Sequence, residues 1–180
     1  MAIAVVKPDE LDELTLRRAQ RGEDRACREL VRAYQRRVFA LLGRMLGQPA
    51  LVEDLAQETF LRVFRALPAW SPSGPARLST WILTIATRLA LDELRKQRPV
   101  QAMPQPTVLP EAEARALGRA IAQAVSQLPP DFRAVFLLRE YHELEYDEIA
   151  RALDIDLGTV KSRLSRAKAA LREALKEVRG

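Results

Sequence analysis

The sequence predicts an all-α protein of two small helical domains joined by a proline-rich linker, the second domain containing a helix-turn-helix. Three observations support this. Apolar residues recur at intervals of three and four along most of the chain, and no stretch sustains period-two alternation. Four prolines (Pro99, Pro104, Pro106 and Pro110) gather between Gln97 and Pro110, a segment without an acidic residue. Near the C-terminus a short amphipathic helix, a three-residue break and a basic helix follow one another.

Taken in order, a first helix is expected from Asp9 to Gln20, ending near Gly22. A longer one starts at Asp24, read as its N-cap, and carries Ala26, Leu30, Tyr34, Val38, Leu41 or Leu42, and Met45 on one stripe before Gly47-Gln48-Pro49 stops it. The third spans about Leu51 to Leu67, with Val52, Leu55, Thr59 and Val63 on one side, and Pro68 closes it. Ala69 to Arg77 has no period and is rich in Pro, Ser and Gly, hence a loop. Ser79 and Thr80 are read as caps for a fourth helix from Trp81 to about Lys96. The prolines that follow remove amide donors and disfavour helix in the residues before them. The division is therefore 1–98, a linker over 99–110, and 111–180. Beyond the linker, Pro129-Pro130-Asp131 opens a helix ending near Tyr141-His142. Then come Tyr146 to Leu153, the break Asp154-Ile155-Asp156, and a long helix from Leu157 with the seam Val160, Leu164, Ala167, Leu171 and Leu175.

The chain has 180 residues, 29 Lys or Arg against 24 Asp or Glu, a net charge of +5, and 48% hydrophobic residues. No apolar run approaches the ~18 residues of a membrane span, and the N-terminus does not resemble a signal peptide, so a cytoplasmic location is expected. One cysteine, Cys27, and one histidine, His142, leave no internal disulfide, no metal site and little Cys/His chemistry; no cofactor is expected. No carboxylate spacing isolates a catalytic pair and glycine-rich phosphate loops are absent, which argues against an enzyme. His142, beside Tyr141, reads as a helix-end residue rather than a general base.

Charge distribution is more informative than its sum. Seven acids lie between Glu140 and Asp156 against the single base Arg151, whereas five bases and no acid lie between Leu157 and Arg172. At 100° per residue, Lys161, Ser162, Ser165 and Arg166 point away from the apolar seam. Asp156 is placed to accept from the amides that open the basic helix, and small Ala150 suits a close helix crossing. A basic outward face on the second helix of such a pair is what a major-groove reader needs, although solvated helix faces have the same pattern. Asp54, Gln57, Glu58 and Arg62 likewise share one polar helix face, which on spacing alone is an ordinary solvated stripe with an internal Glu58–Arg62 pair.

Two strings go beyond periodicity. Gly158-Thr159-Val160-Lys161-Ser162-Arg163-Leu164-Ser165-Arg166-Ala167 is very similar to the recognition helix of bacterial sigma factors of the extracytoplasmic-function group, and less fully to response-regulator output domains. Glu53-Asp54-Leu55-Ala56-Gln57-Glu58-Thr59-Phe60-Leu61-Arg62-Val63-Phe64-Arg65 resembles the core-binding helix of the same sigma family, which response regulators do not predict. Ser79-Thr80-Trp81-Ile82 with Asp92-Glu93-Leu94-Arg95-Lys96 resembles its promoter-melting and minus-10-reading helix. Arg88 stands where many relatives have Asn, the loop before Trp81 is about two residues longer than common, with Pro72 and Pro75 added, and Asp154 stands where Gly is frequent, Asp tolerating the left-handed conformation better than most residues.

The resemblance covers residues 24–98 and 111–178 and implies a sigma factor directing promoter-specific transcription initiation. It implies contact with the polymerase clamp by Asp54, Gln57, Glu58 and Arg62. It further implies minus-10 contacts by Trp81, Arg88, Asp92, Arg95 and Lys96, and minus-35 contacts by Thr159, Lys161, Ser162, Ser165 and Arg166, with Arg163 and Lys168 on flanking phosphates. The expected partners are core RNA polymerase, promoter DNA and an anti-sigma factor. The rival reading is a stand-alone helix-turn-helix regulator, which would need a dimerisation element beyond the generic seam of the last helix.

Overall fold

The structure is a computed structural model that describes residues 11–74, 76–96 and 112–176. Those residues form eight α-helices and no strand: α1 (Glu13–Gln20), α2 (Asp24–Leu46), α3 (Pro49–Ala66), α4 (Leu78–Lys96), α5 (Ala112–Gln127), α6 (Pro130–Glu140), α7 (Tyr146–Leu153) and α8 (Leu157–Lys176). The linker over 99–110, Pro75, and the start expected at Asp9 lie outside the described residues.

In the first half α2 is the central element. Leu30, Val38, Leu41, Leu42 and Met45 are fully buried on it, against α1, α3 and α4. Burial of each such side chain stabilises by roughly 1.5–3 kcal/mol. The helix ends where Gly47 adopts φ 72°, the left-handed conformation open to glycine, and returns its amide to the Gly43 carbonyl. Two capping expectations are corrected. Asp24 is the first helical residue rather than the cap, because the opening helical bond runs from the Cys27 amide to the Glu23 carbonyl. Ser79 and Thr80 lie inside α4, both buried: Leu78 enters the core, and the helix already starts with the Trp81 amide bonded to the Arg77 carbonyl.

In the second half α6 packs on α8, and α7 crosses both. Val160, Leu164, Ala167 and Leu171 of the seam the sequence predicts are buried, Leu175 is half-buried, and Ile149 of α7 joins the same apolar cluster. The turn between α7 and α8 is built as expected: Asp154 takes φ 55°, ψ 52°, and its amide returns to Ala150. Helix α5 was not placed by the sequence. Its Ala112, Ala114, Ala116, Ala120, Ala122 and Ala124 favour helix.

The halves are in contact. Buried residues from both form one continuous apolar cluster, in which α2 and α4 of the first half meet α5, α6 and α7 of the second. Arg133 of α6 donates to the carbonyl of Met45 at the end of α2 and to those of Ser126 and Leu128. Buried Arg37 donates to the His142 carbonyl at 3.3 Å, and the Arg44 guanidinium lies 4.4 Å from the centroid of the Tyr141 ring.

Candidate nucleic-acid and polymerase interfaces

On α3, Pro49 occupies the first turn, where its missing amide costs nothing. Val52, Ala56, Thr59, Phe60 and Val63 face inward, leaving Asp54, Gln57 and Arg62 exposed and Glu58 half-buried on one outward face. Glu58 and Arg62 form the expected i,i+4 pair at 2.7 Å, worth only a few tenths of a kcal/mol. Leu61 lies on this face too, 42% exposed. The sequence did not single it out, yet its position seven residues beyond Asp54 puts an apolar group on the polar stripe.

The segment between α3 and α4 is anchored from a distance. Gln20 Nε2 donates to the carbonyls of Leu67 (3.1 Å) and Trp70 (2.8 Å), tying the loop to α1. Gly74 returns its amide to Ser71, and a Cβ at Gly74 would stand 3.0 Å from the Ser71 carbonyl oxygen, so the turn fits only glycine comfortably. Trp70 and Trp81 face each other with ring centroids 6.2 Å apart, tilted by 36°. With Ala66, Ala69, Ser71, Gly74 and Ala76 they line an open cavity of about 420 Å³. Trp81 is therefore half-buried, part core aromatic and part cavity wall.

Along α4, exposed Asp92 pairs with Arg95 (3.2 Å) and half-buried Glu93 with Lys96 (3.5 Å). Arg88 behaves differently from its expected role. Its Nε donates to the Ala152 carbonyl at 2.9 Å and Nη2 to the Arg151 carbonyl at 3.4 Å, both in the last turn of α7.

On α8 the N-terminus is capped as expected. Asp156 accepts from the Thr159 amide at 2.8 Å and from its hydroxyl. Those two bonds, hydroxyl first, hold the Asp156 carboxyl below the usual carboxylate range. Thr159 is thus committed to the cap, while Lys161, Ser162, Ser165 and Arg166 stand exposed together on the outward face. Arg163 and Lys168, expected to flank the DNA, turn to α6 instead, pairing with Asp131 (3.7 Å) and Glu140 (2.8 Å). Both pairs are partly solvated, and each holds by no more than about 1 kcal/mol.

The surface thus presents a mixed acidic face on α3, an aromatic cavity before α4, and a basic hydroxyl-bearing face on a capped second helix. Comparison with known proteins agrees with that combination. The profile of sigma-70 region 2 matches residues 30–100, and that of sigma-70 region 4 matches residues 118–171. The ECF RNA polymerase sigma factor SigW of Bacillus subtilis is 30% identical over 181 residues, covering 91% of this chain and 96% of SigW. This chain belongs to the sigma-70 family, in its extracytoplasmic-function group. Its relative SigE of Mycolicibacterium smegmatis is 37% identical over 158 residues, which cover 82% of this chain and 60% of SigE. Among solved structures, the sigma factor RpoE in complex with the anti-sigma factor NepR from Bartonella quintana shares the fold. Its TM-score is 0.65 at 20% identity, over 83% of this chain and 96% of that one. The chain is an alternative sigma factor that directs promoter-specific transcription, not a stand-alone regulator. Among the described residues no helix is long and apolar enough to cross a membrane.

Proposed function

We propose that the three surfaces divide the work of initiation. The α3 face, Asp54, Gln57, Glu58, Leu61 and Arg62, docks on core RNA polymerase. The cavity between Trp70 and Trp81 receives an unstacked base of the opened minus-10 strand, held by aromatic stacking. Asp92, Arg95 and Lys96 on α4, with Arg88 once released, contact that strand and its phosphates. The α8 face reads the minus-35 element in the major groove. Residues 99–110 then serve as the linker between units 1–98 and 111–180. The chain acts in the cytoplasm, lends specificity and catalyses no step itself. An anti-sigma protein is its proposed inhibitor, the class of partner that RpoE of Bartonella quintana holds in its solved complex.

The observation that carries this reading is the outward face of α8. Lys161, Ser162, Ser165 and Arg166 are all exposed on one side of a helix whose opposite side is sealed into the seam. Arg and Lys suit guanine edges and phosphates, and Ser suits either donor or acceptor edges. Run-off transcription with core polymerase tests it. Arg166→Ala should lower promoter-specific product by about tenfold or more, the range for losing one bidentate base contact. Undiminished yield and unchanged start sites would remove α8 from promoter reading.

A further inference from the structure

Among the described residues Leu14, Phe39, Leu61 and Leu157 are the large apolar side chains most open to solvent. One exposed leucine is ordinary on a protein surface; the place of Leu157 is not. It is the first residue of α8, one turn ahead of Val160, and it stays 43% exposed while Val160, Leu164, Ala167 and Leu171 are buried. At 100° per residue it stands about 40° from Lys161 and about 80° from Ser165, on the border between the seam and the outward face. Side chains on a helix lean toward its N-terminus. Leu157 therefore projects from the end of α8 that a recognition helix brings nearest the bases.

The groups around it are already engaged or lack a side chain. Asp156 accepts from the Thr159 amide at 2.8 Å and from the Thr159 hydroxyl, which commits both side chains to the cap. Gly158 is bare backbone, and a Cβ there would stand 3.0 Å from Asp156 Oδ1, so the cap leaves little room for one. From Asp156 to Thr159, then, the side chain left for an outside partner is apolar. Exposed polar side chains resume at Lys161, one turn later. The apolar feature that base edges present in the major groove, beside their donors and acceptors, is the thymine 5-methyl group.

We propose that Leu157 selects a thymine in the minus-35 element by packing against its 5-methyl group. Leu157 and Lys161 are four residues apart, about 6 Å along the helix. Base pairs stack at about 3.4 Å, so that thymine lies within about two base pairs of the pair met by Lys161. Lys161, Ser162, Ser165 and Arg166 read hydrogen-bonding edges and phosphates, and Leu157 adds discrimination by the methyl. The proposal rests on the reading of α8 given above and adds to it one residue and the base that residue prefers.

The test uses holoenzyme, formed from the full chain and core polymerase, on a promoter from which it starts transcription. Each thymine of the minus-35 duplex, on either strand, is replaced in turn by deoxyuridine, which lacks only the methyl, and binding is measured by competition. One replacement should weaken the wild type about fourfold, the weight of one buried methyl group. Leu157→Ala should bind the thymine duplex more weakly by at least that factor and lose nothing further at that uracil. Leu157→Met should retain the uracil penalty, and circular dichroism checks that both variants stay helical. A wild type indifferent to every uracil overturns the proposal, as does a Leu157→Ala variant that keeps the full penalty. The double variant Lys161→Ala/Arg166→Ala separates this proposal from the reading beneath it. If that variant binds the minus-35 duplex undiminished, α8 does not read the promoter and both fall. If it loses binding while Leu157→Ala keeps the uracil penalty, the thymine assignment alone falls.

Discussion

His142 gives the most quantitative prediction. It lies just beyond α6, 5% exposed, and both ring nitrogens lack a hydrogen-bond partner among the described residues. Burial, followed by the nearby charges of Arg37 and Arg44 on α2, pushes its pKa down from 6.5 to about 3. In the unfolded chain the imidazole protonates near 6.5, so below that pH the unfolded state binds more protons than the native one, and stability falls as pH falls. The penalty is absent above pH 6.5, grows as pH drops, and levels off only near pH 3. At pH 5.5, one unit below the unfolded value, it amounts to about 1.4 kcal/mol. With a urea slope near 2 kcal/mol/M, the unfolding midpoint should drop by ~0.7 M between pH 7.5 and 5.5. This window lies above ordinary carboxylate titration. His142→Leu removes the titrating group and two unpaired buried nitrogens, so it should abolish that pH-dependent drop and raise the midpoint at both pH values. Equal drops in wild type and His142→Leu would refute the reasoning, showing that the ring protonates in place without cost.

Other expectations are more local. Asp54→Ala with Glu58→Ala should weaken capture by core polymerase about tenfold, as truncation at an interface centre does; unchanged co-purification would take α3 out of that interface. Trp70→Ala removes one wall of the aromatic cavity and should reduce holoenzyme affinity for the opened minus-10 strand by about tenfold, the weight of one stacked base, measured on a pre-melted promoter. Glu143, at φ 56°, is held in a conformation that glycine adopts without strain. Glu143→Gly should therefore raise stability by roughly 0.5–1 kcal/mol, the left-handed penalty of about 1–2 kcal/mol less the extra backbone entropy of glycine, and a lower denaturation midpoint would contradict this.

The parts legible in advance were those written locally. The α8 seam and its outward face follow from angular spacing within one helix, the Asp156 cap from its place three residues before Thr159, and the Asp154 turn from tolerance of the left-handed conformation. Helix starts were less secure. At α4 the hydroxyls of Ser79 and Thr80 suggested a cap, but burial of Leu78 drew the start into the core and gave Thr80 a distant carboxylate as partner. In the loop before α4, nothing in the sequence pointed to Gln20 as its anchor, since the two are some fifty residues apart.

By itself, then, the sequence determined an all-helical chain, its helix-turn-helix, the polar face of α3 and the family resemblance, all of which depend on residues within a few turns of one another. Only the tertiary structure decided that Arg163 and Lys168 face acids on α6, that the two tryptophans enclose a cavity, and that Arg88 caps a helix 64 residues away. The physical reason is that periodicity specifies which side of a helix is apolar but not which surface covers it. A guanidinium on an outward face takes whichever carbonyl, carboxylate or phosphate the packed halves bring within reach.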